Sequence, residues 1–325
     1  MRQTPKPVLA AAAFAAMFHG HANAQAPAYP VKPIRFIVPF PPGGSTDIVA
    51  RLIAPRLSEA LGQQVVIDNR GGAGGTIGTE MAARTPPDGY TIVLTSANTA
   101  MNVSLYQGKT IDPVKELAAI SLLGSAPNIV SVHPSLPVRS IKQLIALAKA
   151  RPGHINYASG GPGSTAHMAT ELFKTMAQVD LLHVPYKGTG PALIAVLSGE
   201  SSVLIPPASA VLPHTKSGKL VALAICSTQR FDAAPGLPTV AESGVPGYEA
   251  SQWYGIMAPV GASQDIINRL NRELVKIVQA PDIKSRLARD ATIVIGSTPQ
   301  EFAAHLKDEI SKWAKVVKFS GARVE

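Results

Sequence analysis

The chain has 325 residues, 46% of them hydrophobic and 16% charged, with a formal net charge of +9 and a single cysteine. This balance excludes a disordered chain and a small disulfide-stapled scaffold, and it leaves room for two packed domains. The positive charge is spread thinly, without a basic block or a basic stripe interleaved with aromatics, so nucleic acid is not an expected partner.

In chain order, residues 1–24 read as an export signal. Arg2 and Lys6 precede an apolar run of 11 residues at 8–18, and Ala22-Asn23-Ala24 has the small-x-small form of a cleavage site. The run is shorter than the roughly 20 residues a membrane helix needs. No cysteine follows it, so no lipid anchor is expected. The mature chain is expected to start at Gln25 and to work as a soluble, non-lipidated protein, the bacterial periplasm being the natural compartment.

Short apolar, β-branched segments at 34–40, 65–67, 91–95, 128–132, 155–158, 181–184, 203–205 and 220–225 read as strands, with helical patterns between them. That alternation predicts an α/β protein with mostly parallel, Rossmann-like sheets covered on both faces.

The first strand runs into "PFPPGGSTDIVARLI", where a loop with almost no side chains opens a helix. The first amides of a helix lack intrahelical acceptors and sit at its positive dipole end, so they suit an anion. Gly43 and Gly44 allow a close approach, and Ser45 or Thr46 can cap the helix or donate a hydroxyl. Asp47 in the first turn complements the dipole; contact with a bound carboxylate would be repulsive unless a water or a ligand donor intervenes. Pro55 is expected to kink the helix. A second glycine cluster, "DNRGGAGGTIGTE" at 68–80, matches neither a dinucleotide fingerprint nor a phosphate loop, and it suits close backbone packing with lining of the same cleft as an addition.

Ser140 to Gln143 has the spacing of a capping box. "INYASGGPGSTAHMATELF" at 155–173 then repeats the strand, glycine loop, helix arrangement. Ser159, Gly160, Gly161, Gly163, Ser164 and Thr165 form the loop. His167, Glu171 and Lys174 share a polar face of its helix, opposite Met168, Leu172, Phe173 and Met176. His167 either points into a cleft from the first turn or is solvated and locally bonded. Cys226, within "KLVALAIC", reads as a buried structural thiol. Thr298-Pro-Gln-Glu301 is a capping box with a first-turn proline, and the helix it opens lines up Phe302, Leu306, Ile310, Trp313 and Val317.

Catalysis has little to stand on. There is no Gly-x-Ser-x-Gly pentapeptide and no HExxH, and histidines 133, 154, 167, 183, 214 and 305 are scattered, with His183 among those placed beside turns and strand ends. No metal or cofactor is expected.

With these loops in order, the chain resembles the Bug/TctC family of periplasmic solute-binding proteins of tripartite tricarboxylate transporters. The motifs "YPVKPIRFIVPFPPGGSTDIVARLI", "RPGHINYASGGPGSTAHMATELF", "HVPYKGTGPALIAVLSGE" and "PTVAESGVPGYEASQWYGIMAP" carry the likeness over the mature region. It implies a type II periplasmic-binding-protein topology with two lobes, 25–126 plus 252–325 and 127–251, joined by crossover strands around a cleft that closes on an organic acid. It further implies a ligand site at Pro42, Gly43, Gly44, Ser45 and Asp47 on one lobe and Ser159, Gly160, Gly161, Gly163, Ser164, Thr165 and His167 on the other, with Asn98 joining them. The family's frequent cleft aspartate falls at Pro206 here, which points away from an amino acid and toward a mono- or dicarboxylate with an aliphatic or aromatic body. The implied partners are a small organic carboxylate and membrane permease subunits, and a monomer is expected. The alternatives are an exported enzyme acting on a small organic acid, and a binding protein serving a signalling sensor.

Overall fold

The computed structural model describes Met1 and residues 29–106, 109–231, 234–289 and 291–322. Apart from Met1, the export signal expected at 1–24 lies outside the described residues. The elements in order are β1 (Ile34–Val38), α1 (Ser45–Leu61), β2 (Val65–Asn69), α2 (Thr76–Ala83), β3 (Thr91–Ser96), α3 (Ala97–Leu105), α4 (Pro113–Glu116) and β4 (Leu117–Pro127). Next come β5 (Ile129–Val132), α5 (Ile141–Ala150), β6 (Asn156–Ser159), α6 (Thr165–Ala177), β7 (Leu182–Pro185), α7 (Thr189–Leu197), β8 (Val203–Leu204), α8 (Ala208–Lys216) and β9 (Val221–Ile225). The chain finishes with β10 (Ser251–Pro259), α9 (Gln264–Gln279), α10 (Pro281–Arg289), β11 (Ile293–Val294) and α11 (Pro299–Ser320).

The strands form two sheets, ordered β11-β4-β10-β3-β1-β2 and β7-β6-β8-β5-β9. Each has a parallel part fed by strand-helix-strand crossovers, β2-β1-β3 in the first and β7-β6-β8 in the second. Antiparallel pairs complete them, chiefly along β10, which lies between β3 and β4. The sheets are therefore mixed. β4 and β10 pair from Leu117 opposite Pro259 to Pro127 opposite Ser251, and both run directly to the junction between the sheets.

Alternation along β1 and β3 explains why these runs are apolar throughout. Ile34, Phe36, Val38, Ile92 and Leu94 pack into one cluster with Val49, Ile53 and Leu57 of α1 and Leu270 and Leu274 of α9. Ile37 and Val93 point the other way, toward Ala97, Ala100 and Met101 of α3 and Phe302, Leu306 and Trp313 of α11. A strand buried on both faces has no side for polar residues. The second of these clusters continues without a break into Tyr157, Met168 and Phe173 of the second sheet's layer.

α11 begins with the expected capping box: Thr298 Oγ1 accepts from Glu301 N at 3.2 Å and Glu301 Oε2 accepts from Thr298 N at 2.9 Å. At its centre Glu309 Oε2 accepts from the indole nitrogens of Trp253 and Trp313, each at 3.0 Å. Lys312 pairs with Glu309 and, at 2.6 Å, with Glu249. This buried network ties α11 to β10 where the chain passes between sheets. The box expected at Ser140 is only half made. Ser140 Oγ accepts from Gln143 N, but Gln143 Oε1 turns to Arg139 N at 2.6 Å. α1 continues through Pro55 to Leu61 as one helix.

Candidate functional site

The carboxyl ends of β1, β3, β6 and β7 converge on a cavity of about 660 Å³ between the two sheets. Ligands of open α/β sheets bind at such strand ends. Of the residues singled out from sequence, Pro42, Gly44, Ser45, Asn98, Gly160, Gly163, Ser164 and Thr165 line it. Gly43, Asp47, Ser159, Gly161 and His167 lie behind the lining, and each has an identifiable task there.

On the first lobe Gly44 is the N-cap of α1, with extended backbone and no side-chain cap. Neither Ser45 nor Thr46 caps the helix, so the amides of Ser45, Thr46 and Asp47 keep their donor capacity. Asp47, 2% exposed, turns away from the cavity. Its carboxylate accepts from Gly43 N at 2.8 Å, Arg51 Nε at 2.8 Å and Asn69 Nδ2 at 2.9 Å. Burial alone would raise its pKa, but these hydrogen bonds outweigh burial and hold it below the ordinary carboxylate value. Asp47 thus pins the loop to α1 and β2, and Gly43 supplies the left-handed turn (φ +84°) that brings its amide round to that carboxylate.

On the second lobe Ser164 caps α6 by accepting from His167 N at 3.3 Å, leaving the Thr165 and Ala166 amides without intrahelical acceptors. The loop beneath rests on a stack of rings. Gly163 N donates to His167 Nδ1 at 3.1 Å, Ser159 Oγ accepts from Gly161 N at 3.0 Å, and His183 Nε2 lies 2.6 Å from Ser159 Oγ. His167 stacks on His183 with centroids 4.3 Å apart, and His183 on Tyr157 at 4.8 Å. Tyr157 donates to Glu171 Oε1 at 2.6 Å, and Lys174 reaches the same oxygen at 3.0 Å.

The face carrying His167, Glu171 and Lys174 is therefore packed against β6 and β7 rather than solvated, because its polar groups satisfy one another. Met176, expected to face inward, is the exposed one. Burial first, then His183 and Lys174, push the His167 pKa down to about 3. Neutral His167 accepts through Nδ1, which leaves the proton on Nε2. His183, read from sequence as a turn residue, belongs to this stack, and burial lowers its pKa too.

Several lining residues were not singled out from sequence. Gly188, at the start of α7, has no side-chain cap and a φ of +107°, and Thr189 follows it. "YKGTGP" repeats the strand, glycine and hydroxyl, helix pattern, so the rule that found the other two loops reaches this one. Loops 159–165 and 186–189 pack backbone to backbone: Gly188 N donates to Gly160 O at 3.2 Å, and a Cβ on Gly160 would lie 3.1 Å from Thr189 N. Gly74 of the 68–80 cluster also reaches the cavity, held by Asn102 Nδ2 at 3.0 Å from its carbonyl. Gln252 on β10 reaches it as well, and nothing in its neighbourhood in sequence marked it.

Asn98 Nδ2 donates to Gly163 O across the cleft at 3.4 Å, a weak link between lobes. Pro206 is buried and its carbonyl accepts from Ile129 N; Pro207 is the residue that lines the cavity. Among the described residues lining the cavity none carries a charge. Among the described residues no group of three or more His, Cys, Asp and Glu could hold a metal ion, and no helix is long and apolar enough to cross a membrane. Cys226 is fully buried, and burial raises its thiol pKa.

Residues 49–321 match the sequence pattern of the "Tripartite tricarboxylate transporter family receptor" family. The chain is 40% identical to protein BugT of Bordetella pertussis over 306 residues, 94% of each chain. It is similar in structure to R. palustris Rpa4515 with adipate, at 37% identity and a TM-score of 0.80, covering 91% of this chain and 100% of that one. A second similar structure is MatC from Rhodopseudomonas palustris with bound malate, at 30% identity and a TM-score of 0.77, covering 89% of this chain and 100% of that one.

Proposed function

The chain belongs to the tripartite tricarboxylate transporter receptor family of periplasmic solute-binding proteins, and from that premise we propose that it captures a small organic carboxylate between its lobes and hands it to the permease subunits of such a transporter. In this reading residues 1–24 direct export to the periplasm, where the chain acts as a monomer. Residues 25–126 with 252–325 move as one lobe against 127–251, about β4 and β10.

One observation carries the reading: amide clusters at the starts of α1 and α6, on different lobes, border a single cavity without charged walls. A carboxylate there takes its compensation from backbone N–H groups and from the hydroxyls of Ser45, Ser164 and Thr165. Asp47, His167, Ser159, Gly43 and Gly161 act one layer back, by holding those amides in place. Adipate and malate in the two similar structures are both carboxylates, in keeping with this choice of ligand.

Only a closed cleft presents both clusters to one carboxylate, so binding shifts the population toward closure. Moving that equilibrium from 1:99 to 99:1 takes about 5.5 kcal/mol of preference. Dipole effects of ~0.3 to 1 kcal/mol each fall short. Hydrogen bonds to a charged acceptor, at about 1.5 to 3 kcal/mol each, reach it with three or four. A thermal-denaturation panel of organic acids tests the proposal. An acid held at about 100 times its Kd adds about 2.7 kcal/mol of stability. A panel in which no acid stabilises the protein, or turnover of one that does, rejects the reading.

A further inference from the structure

Outside the cleft, α1 and α10 border a depression of about 540 Å³ lined by Ile48, Arg51, Leu52, Arg286 and Arg289. Ile48 is 46% exposed and the three arginines are exposed as well. Among the described residues no acidic side chain lines it. Arg286 and Arg289 make no ion pair among the described residues, whereas Arg35, Arg56 and Arg70 each meet a carboxylate. Arg51 gives Nε to Asp47 at 2.8 Å and reaches Asn69 weakly at 3.4 Å, yet its side chain is 55% exposed. A guanidinium has five N–H donors, so Arg51 keeps donors to spare. Arg56 and Asp282, 2.8 Å apart, link α1 to α10. Ile48 N donates to Gly44 O at 2.9 Å, so the depression adjoins the helical turn that opens onto the cleft.

We propose that this depression docks an acidic segment of a partner protein, whose carboxylates meet the guanidinium groups while an apolar side chain covers Ile48 and Leu52. The inference concerns a face outside the cleft and does not depend on the choice of ligand. Three guanidinium groups around one hollow repel one another, and an anionic partner turns that repulsion into attraction. A planar guanidinium meets a carboxylate through two parallel N–H···O bonds and is more weakly hydrated than an ammonium, so it suits a contact that becomes covered. The exposed isoleucine at the centre of the charges gives a partner apolar area to bury as well. The concave shape selects a protein segment over an anionic bilayer, because single side chains can enter a hollow that a plane of headgroups only spans.

The test is NMR titration with a blocked peptide in which glutamates alternate with leucines, compared with counterparts carrying glutamine or lysine for glutamate and alanine for leucine. The expected result is one saturation curve for the Ile48, Arg51, Leu52, Arg286 and Arg289 signals, weakening as salt is raised. The alanine peptide should bind more weakly and the glutamine and lysine peptides not at all. A protein carrying both Arg286→Gln and Arg289→Gln should lose at least about fivefold in affinity for the glutamate peptide, the worth of two partly exposed ion pairs. Its far-UV circular dichroism should stay unchanged, since both side chains are exposed. No saturable binding, equal binding of the glutamine or lysine peptide, or full affinity in the double variant overturns the inference. So does arginine-dependent binding to anionic phospholipid vesicles without binding of the peptide, which assigns the face to a membrane. Self-association that the double variant abolishes overturns it too, by assigning the face to a second copy of the chain.

Discussion

His167 gives the second loop a measurable pH signature. It is 6% exposed, stacked on His183, and accepts the Gly163 amide; Tyr157, Glu171 and Lys174 complete the surroundings on β6 and α6. Its pKa falls from the ordinary 6.5 to about 3 on folding. A proton is therefore bound more readily by the unfolded chain. The stability His167 supports is intact above the unfolded value and is lost as pH falls from about 6.5 toward 3. Between pH 7 and pH 5 this one group costs about 2 kcal/mol, at 1.36 kcal/mol per unit.

His167→Asn keeps an acceptor near the Nδ1 position and removes the titration. Urea denaturation at both pH values should show the unaltered protein losing about 2 kcal/mol more than the variant. His167→Leu should lower stability at pH 7 by a further 1 to 3 kcal/mol or so relative to His167→Asn, because the buried Gly163 N–H then has no partner. Equal acid losses in the unaltered protein and His167→Asn would refute this account of the stack.

Asp47→Ala should cost about 3 kcal/mol of stability and weaken acid binding by more than tenfold, since Gly43 and Asn69 lose their acceptor and the first loop its anchor; chemical denaturation and calorimetry check both. Gly163→Val places a β-branched residue at φ +75°. It should abolish stabilisation by acids while far-UV circular dichroism stays unchanged. Glu309→Leu leaves two buried indole N–H groups unmet and Lys312 with only Glu249, so thermal denaturation should register a loss of roughly 3 to 5 kcal/mol. Cys226 should react with a thiol reagent at a measurable rate only in denaturant, because the native thiol is buried and its ionisation suppressed.

β1, β2, β6 and β7 were legible because each is a short run followed by a loop that contains glycine. All eight expected segments contain or overlap a strand. β4 and β10 were not, for a physical reason. "LAAISLLGSAP" is uniformly apolar, which suits a buried helix as well as a buried strand. "SQWYGIMAP" carries a glycine mid-run, and that glycine is needed where the Phe302 ring packs on the strand, 2.1 Å from where a Cβ would sit. Those two strands give the first sheet its mixed character and bring Gln252 to the cavity, while β5 makes the second sheet mixed.

The glycine loops could be read because a bare helix start has chemistry independent of the rest of the fold. Whether a polar residue faces the cavity or the layer behind it could not. Only the family resemblance put Asp47 and His167 in the ligand site, and only the positions of Asn69, His183 and Gly163 in space show what their side chains hold.

The central claim is that backbone amides at two helix starts, one from each lobe, share one carboxylate. Amide-resolved NMR titration with the tightest acid of the thermal panel reads this directly. The account predicts that the Ser45, Thr46, Thr165 and Ala166 amides shift together with a single saturation curve. Saturable binding that moves only one of the two groups, or neither, would contradict it.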